Sequence, residues 1–182
     1  MLSFFLYIMY NLIGDDDMNK LKKILKEVLP YVVIIIVVLL IKTNVVAPIR
    51  VNGKSMDNTL KDGDIMILNI IGYKISDLKR FDIVVINTGK EYLIKRVIAL
   101  PGEKVEYKDS VLYINGKVVE DKYAQGKTSD FKGIVNNESY FVLGDNRENS
   151  LDSRFYGPFS KDKILGKTSF TVFPFNRFGN KK

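Results

Sequence analysis

Two short segments carry the residues best suited to nucleophilic chemistry. The first, "VNGKSMDNTLKDGD" at residues 51–64, places Ser55 among glycines and polar side chains. The second, "EYLIKRVIALPG" at residues 91–102, places Lys95 among apolar side chains. A serine hydroxyl attacks only when a base removes its proton, and this chain contains no histidine and no cysteine. Because burial lowers the pKa of a lysine ammonium group, the two segments suggest a Ser/Lys pair.

Each of these residues, taken alone, also fits a purely structural role. A serine beside glycine and asparagine is typical of a turn, and a lysine in a strand commonly extends from a sheet edge into water. Side chains alternate along a strand, so Lys95 and its neighbour Arg96 are expected on opposite faces. Lys95 shares its face with Leu93 and Val97. It is therefore the cation expected to face inward.

A third polar segment, "VLGDNRENSLDSRFYG" at residues 142–157, follows a short apolar run. Its carboxylates, guanidinium groups, hydroxyls and amide are suited to a network of charge-assisted hydrogen bonds that positions a neighbouring group. The alternative is a solvated loop, and spacing alone does not choose between them. The side chains concerned are Asp145, Asn146, Arg147, Ser150, Asp152, Ser153 and Arg154.

The elements that must position these residues are short strands. Beyond Pro48 the chain has β-branched and aromatic runs separated by turn residues, which predicts a mainly β, antiparallel body. In "VLYINGKVV", Asn115-Gly116 predicts a tight hairpin turn. Residues 105–137 are more polar than their flanks and predict a small insertion that carries this hairpin. The runs are "IMILNII", "DIVVINT", "YLIKRVIAL", "KVEYKD", "VLYINGKVV", "SYFVLGD" and "ILGKTSFTVF".

An uncharged run, "LPYVVIIIVVLLI" at residues 29–41, precedes the body. Extended to residues 28–47, it approaches the roughly 20 residues of a transmembrane helix, and it is much longer than the buried core strand that is the alternative. The lysines before it predict a cytoplasmic segment at residues 1–27 and an extracytoplasmic catalytic domain at residues 48–182. These lysines are Lys20, Lys22, Lys23 and Lys26. We therefore expect one uncleaved anchor in the cell membrane, with the N-terminus cytoplasmic.

The N-terminal extension at residues 1–17 is unusual. It is apolar but too short to span a bilayer comfortably, and it ends in Asp15, Asp16 and Asp17, which oppose the usual positive charge on the cytoplasmic side. It is therefore either an interfacial extension or a segment that precedes the true start at Met18.

The net charge of +7 raises the question of nucleic-acid binding. The surplus lysines are partly in the cytoplasmic segment and are otherwise scattered, and the chain contains neither a GxGxxG nor a GxxxxGK[ST] motif. We expect no nucleotide, no nucleic-acid partner, and no metal or organic cofactor.

The motifs together resemble the type I (leader) signal peptidases. "GKSMDNTLKDGD", "FDIVVI", "LIKRVIALPGE" and "VLGDNRENSLDSR" follow an N-terminal anchor in the order typical of that family. The resemblance is closest to the compact single-anchor enzymes of Gram-positive bacteria and extends from about Lys20 to Gly179. It implies a membrane-bound serine endopeptidase that removes signal peptides from secreted preproteins through an acyl-enzyme. Its partners would then be those preproteins and the lipid bilayer, near the secretion translocon.

The resemblance also implies the roles of individual residues. Ser55 matches the nucleophile, whose backbone N–H would hold the oxyanion, and Lys95 matches the general base. Val51 and Ile94 match positions that line shallow pockets for small substrate residues at −1 and −3. The residues that match the supporting shell are Ser150, which would hydrogen-bond and orient Lys95, with Asp152 beside it, and Asp145 and Arg154.

Some positions depart from the family pattern. Asn58 stands where proline is common, and Gly53 stands where some members have a hydroxyl that helps to hold the oxyanion. Ala99 and Glu103 replace the more usual glycine and aspartate, which we expect to be tolerated.

Two other functions fit parts of the sequence. Self-cleaving repressors also use Ser/Lys dyads on similar β folds, but they are cytoplasmic and bind DNA, and this chain has no DNA-reading domain. A membrane-anchored β module that binds a partner without catalysis is the alternative of a different class, for which Ser55 and Lys95 would be replaceable.

Overall fold

The computed structural model describes residues 15–181 and divides the chain after Thr43 into two units. The described part of the first unit is helical: helix α1 (Asp15–Asn44) is 30 residues long, contains Pro30, and ends at the first residue of the second unit. No helix within the described residues is long and apolar enough to cross a membrane. The transmembrane span at residues 28–47 therefore stays a prediction. Most of the N-terminal extension, residues 1–14, lies outside the described residues.

The end of α1 corrects one boundary. The helix ends at Asn44, and strand β1 (Val46–Arg50) begins inside the predicted span. The reason is pairing, because Val46 to Arg50 lie antiparallel to residues 65–69, which satisfies backbone groups in a sheet.

The second unit contains twelve strands within its described residues, joined by short helices. After β1, the strands are β2 (Ile65–Asn69), β3 (Ile83–Asn87), β4 (Tyr92–Ala99), β5 (Lys104–Lys108), β6 (Val111–Ile114), β7 (Lys117–Val119), β8 (Phe131–Ile134), β9 (Ser139–Leu143), β10 (Phe159–Ser160), β11 (Ile164–Phe173) and β12 (Gly179–Asn180). The helices are α2 (Ile70–Ile75), α3 (Ser153–Tyr156) and the 3₁₀ turns Lys161–Lys163 and Phe175–Arg177.

The larger sheet has eight strands among the described residues, in the order β1-β2-β11-β3-β4-β9-β10, with β12 beside β11. All of its pairs are antiparallel, so the mainly β, antiparallel prediction is confirmed. The register of β11 against β2 shifts twice, between Thr168 and Phe170 and between Thr171 and Phe173. Such irregularities bend a strand and help a sheet to curl.

The insertion is larger than the predicted hairpin. Strands β5 to β8 form a second, four-stranded sheet in the order β7-β6-β5-β8, named here the insertion sheet. The predicted turn at Asn115-Gly116 joins β6 to β7, and both residues have positive φ, 51° and 78°. Strand β5 forms because Val105 and Tyr107 alternate toward a buried cluster that includes Phe141 of the larger sheet, and Phe131 of β8 packs against the same cluster.

Strand β3, in the middle of the larger sheet, is buried on both faces. Ile83 and Val85 belong to one buried apolar cluster, whereas Val84 and Ile86 belong to another. The adjacent strand β4 contributes Ile94 to the first cluster and Val97 to the second. A side chain on either face of β4 is therefore removed from water.

Candidate active site

The structure brings Ser55 and Lys95 together. Ser55 lies in the turns that follow β1, Lys95 lies in the middle of β4, and Ser55 Oγ is 2.7 Å from Lys95 Nζ. Lys95 is only 3% exposed, and this burial lowers its pKa from 10.5 to about 8. The negative charges of Asp152 and Glu91 oppose the shift but do not reverse it. A neutral amine is therefore accessible near neutral pH, within reach of the serine proton.

Buried residues and hydrogen bonds fix the loop that carries Ser55. The loop is closed by hydrogen bonds between Val51 and its far end, from Val51 N to Asp64 O (2.8 Å) and from Gly63 N to Val51 O (2.9 Å). Met56 and Leu60 are buried on its inner side. The loop is thus held at both ends and from beneath, which pre-orders the hydroxyl of Ser55.

The two backbone polar groups of Ser55, its carbonyl oxygen and its N–H group, differ in their hydrogen bonding. The carbonyl oxygen accepts a hydrogen bond from Asn146 N at 3.0 Å. The N–H group of Ser55 makes no hydrogen bond to the residues that the structure describes. Gly53, two residues earlier, has φ of +87°, and a Cβ placed there would meet nothing within 4 Å. A side chain larger than hydrogen at position 53 is thus opposed by backbone conformation rather than by space.

Asp152 and Arg154 lie beside the dyad. Asp152 is fully buried, and its carboxylate accepts hydrogen bonds from Gly144 N (3.1 Å) and from Arg154 Nε and Nη2 (2.8 Å each). Among the charges that act on the pKa of Lys95, Asp152 has the largest effect and raises it, whereas Arg154 lowers it. Asp152, the charge with the largest effect on the pKa of Lys95, is therefore bound to the guanidinium group of Arg154.

Asp145 forms a second buried pair, with Arg96. Arg96 donates from Nε to Oδ1 (2.7 Å) and from Nη2 to Oδ2 (2.6 Å) of Asp145, and Thr59 Oγ donates to the same Oδ2 (2.5 Å). Only Lys95 of the two cations was expected to face inward, yet Arg96 is fully buried too. The reason is that Asp145 and the ring of Tyr123, 3.7 Å from Arg96 Cζ, cover the opposite face. Sequence reasoning missed Arg96, Thr59 and Tyr123 at this site.

Ser150 requires a correction. It was expected to hydrogen-bond and orient Lys95, but its buried Oγ has no hydrogen-bond partner among the described residues. The hydroxyl packs instead against Gly144, since a Cβ built at Gly144 would lie 2.3 Å from Ser150 Oγ and 2.5 Å from Ser55 O. Glycine at position 144 thus allows the backbone of Ser55 and the side chain of Ser150 to approach it closely.

A cleft of about 620 Å³ opens beside the dyad. Val51 and Ile94, the residues expected to contact substrate, line it together with Ser55 and Lys95. Its other lining residues are Ala47, Pro48, Ile49, Arg50, Asn52, Met56, Leu68, Glu91, Tyr92, Leu93 and Leu165. Most of the lining side chains are apolar, as is usual for a ligand-binding cleft.

The chemistry that this arrangement supports is acyl transfer through a serine. A serine hydroxyl and a lysine of lowered pKa are in hydrogen-bond contact at the wall of an open cleft. Among the described residues, no group of three or more acidic side chains is placed to hold a metal ion.

Comparison with known proteins defines the class of enzyme. A family model described as signal peptidase, peptidase S26, matches residues 24–173. Signal peptidase IB of Staphylococcus aureus (strain COL) is 36% identical over 178 residues, which cover 86% of this chain and 93% of that protein. Signal peptidase I of Bacillus amyloliquefaciens is 40% identical over 164 residues, covering 83% and 89%.

A solved structure is also similar. The crystal structure of a signal peptidase I from Enterococcus faecalis V583 covers 50% of this chain and 97% of its own, at 34% identity and a TM-score of 0.46. From the sequence matches, the chain is a serine-type hydrolase. It belongs to the peptidase S26 family of signal peptidases, so the resemblance read from the motifs is confirmed.

Proposed function

We propose that this protein removes N-terminal signal peptides from secreted preproteins, with Ser55 as nucleophile and Lys95 as general base. The observation that carries the proposal is the 2.7 Å distance between Ser55 Oγ and a buried Lys95 Nζ at the wall of an open cleft. The membership of the chain in the signal peptidase family supplies the reaction class.

The mechanism follows from the two side chains. Neutral Lys95 takes the proton of Ser55 Oγ as the oxygen attacks the scissile carbonyl carbon, giving a tetrahedral intermediate. The Ser55 N–H donates to the oxyanion, a contact of the kind that contributes about 3 kcal/mol. Lys95 then protonates the leaving amine, and the C–N bond breaks to leave an ester on Ser55. A water molecule deprotonated by Lys95 hydrolyses that ester and releases the signal peptide.

The cleft supports a preference for small residues at −1 and −3 of the substrate. Val51 and Ile94 are buried, branched side chains that line the cleft together with Ser55 and Lys95. A large substrate side chain placed against them would displace either these side chains or the scissile bond. We propose that alanine-sized residues fit these positions best.

We propose that the apolar part of α1, from residue 28 to Asn44, anchors the protein in the cell membrane, with the N-terminus cytoplasmic and the catalytic domain outside. Lysines precede this apolar segment, as they precede membrane helices on the cytoplasmic side. Preproteins emerge at the same surface near the secretion translocon, so anchoring would raise the effective concentration of enzyme and substrate.

The direct test is cleavage of a purified preprotein by the full chain in detergent. Ser55→Ala and Lys95→Ala are expected to lower kcat by at least about 1,000-fold, since each removes a member of a cooperating pair. Lys90→Ala, which changes an exposed lysine just before β4, is the matched control and should cleave like wild type. Full activity in both dyad variants would refute the mechanism and favour the alternative of a non-catalytic binding module.

A further inference from the structure

The insertion sheet and the connection that follows β7 contact the loop at residues 144–152. The main contact is a buried ion pair in which Arg147 Nη2 donates to Asp121 Oδ2, with side chains 0% and 5% exposed. Tyr107 Oη donates to the same Asp121 oxygen and accepts from Arg147 Nη1 at 2.5 Å. Arg147 Nη1 also donates to Thr128 Oγ at 3.3 Å. Burial raises the pKa of Tyr107, which keeps its hydroxyl neutral and able to donate.

The same connection holds the backbone of the loop. Gln125 N donates to Asp145 O at 2.7 Å, and Arg147 N donates to Gln125 O at 3.0 Å. Gln125 thereby forms a parallel bridge with Asn146. We name Tyr107, Asp121, Gln125 and Thr128 the insertion clamp, because they hold both the side chain of Arg147 and the backbone around it.

The clamped residues in turn reach both members of the dyad. On the serine side, Asn146 N donates to Ser55 O at 3.0 Å. On the lysine side, Arg147 O accepts from Arg154 Nη2 at 2.8 Å, and Arg154 holds Asp152. Arg147 Nε also donates to Gly144 O at 2.9 Å. Each of these contacts joins the clamped segment either to Ser55 itself or to a residue that hydrogen-bonds Asp152.

Most of the charges with the largest effect on the pKa of Lys95 lie in this loop or next to it. Three of the four come from the loop or from the helix α3 that follows, and the fourth is Glu91, the residue just before the strand of Lys95. The three are Asp145, Asp152 and Arg154. Their distances from Lys95, and the exclusion of water around it, would change if the loop were released.

We propose that the insertion clamp positions the dyad, so that Asp121 and Tyr107 are positioning residues for Ser55 and Lys95. This inference rests on the proposed function. It gives the insertion sheet a role in catalysis through Arg147 and the loop, without contact with substrate.

The experiment compares Asp121→Asn and Tyr107→Phe with wild type in the full chain. Both replacements keep the shape of the side chain, and Tyr107→Phe keeps the ring in its apolar cluster. Glu106→Gln is the matched control, because it breaks an ion pair with the exposed Lys132 (2.9 Å) on the same sheet. The measured quantities are kcat, KM and the pH dependence of kcat/KM on a synthetic signal-peptide substrate with alanine at −1 and −3, below the unfolding temperature of each variant.

We expect Asp121→Asn to lower kcat about 10- to 100-fold with KM changed less than about 2-fold, since small displacements of reacting groups have effects of this size. Tyr107→Phe should lower kcat about 3- to 10-fold, because Arg147 keeps its ion pair. In both variants the acid limb of the pH profile should move to higher pH, as water enters around Lys95. Glu106→Gln should match wild type in all three quantities.

Unchanged kcat and an unchanged acid limb in both clamp variants would overturn the proposal, even if the variants were less stable. If Asp121→Asn failed to fold, Tyr107→Phe would decide by the same two readouts. Activity in Ser55→Ala would instead refute the proposed function. Cleavage by wild type, none by Ser55→Ala and wild-type behaviour of the clamp variants would reject the clamp alone.

Discussion

Burial of the Lys95 ammonium group should destabilise the folded protein, and Lys95→Met should increase the free energy of unfolding. Burial lowers the pKa of Lys95 from 10.5 to about 8. A shift of one pKa unit corresponds to about 1.4 kcal/mol. The free energy of unfolding at neutral pH is therefore about 3 kcal/mol lower than it would be if the pKa of Lys95 were unshifted. Methionine has a similar length and no charge, so Lys95→Met should raise the free energy of unfolding at pH 7 by up to about 3 kcal/mol while abolishing cleavage.

The sign and the pH window follow from linkage. Below pH 8 the lysine is charged in both the folded and unfolded states, and the folded state bears the full penalty. Between pH 8 and 10.5 the folded state releases its proton first, so the wild-type protein gains stability from this group as the pH rises. At pH 10 the advantage of Lys95→Met should have shrunk to about 1 kcal/mol.

Urea denaturation of wild type and Lys95→Met at pH 7 and pH 10 measures the effect. Lys90→Met, at an exposed position, is the control and should show no pH-dependent difference from wild type. If the difference between wild type and Lys95→Met were the same at both pH values, the pKa of Lys95 would not be shifted by folding. The reasoning from burial would then be refuted.

The remaining predictions concern activity. The kcat/KM of wild type should rise with pH through about 8, as Lys95 loses its proton, and then level off; a rise that continued toward pH 10 in a stopped assay would contradict the low pKa. Glu91→Gln should move this midpoint to lower pH, because the negative charge of Glu91 raises the pKa of Lys95; an unmoved midpoint would show that the charge is screened. Gly144→Ala should unfold at lower temperature and lose activity, because its Cβ would lie 2.5 Å from Ser55 O; calorimetry and cleavage assays check both. Val51→Phe should raise KM at least about 10-fold for a substrate with alanine at −1 by filling the cleft; an unchanged KM would place the substrate elsewhere.

The sequence was sufficient for features that depend on local periodicity and composition. The antiparallel β body follows from short apolar runs, and the turn at Asn115-Gly116 follows from residues that tolerate positive φ. The absence of histidine directed attention to Lys95, whose apolar neighbours indicated burial. Ser55 and Lys95 are 40 positions apart, so their 2.7 Å contact depends on how the loop folds onto β4. Composition and family resemblance indicated the pair, and the tertiary structure supplies its geometry.

Other features of the site could not be predicted because they depend on long-range packing. Arg96 alternates away from Lys95 as expected, but its burial requires a carboxylate 49 positions later and a ring from the connection after β7. Ser150 Oγ has no hydrogen-bond partner among the described residues and packs against Gly144, an approach that no local pattern indicates. The insertion forms a whole sheet because alternate residues of β5 and β6 find partners on β9.

The arrangement of charges explains how Lys95, the proposed base, keeps a lowered pKa next to two buried carboxylates. Asp152 and Asp145 both raise the pKa of Lys95, so unpaired they would favour the charged and inactive form. Each is bound by a guanidinium group, Asp152 by Arg154 and Asp145 by Arg96, so the fields of the carboxylates are partly cancelled where Lys95 lies. Desolvation then remains the largest influence and lowers the pKa. The carboxylates can therefore fix the backbone around the dyad through their hydrogen bonds without protonating the base that the reaction requires.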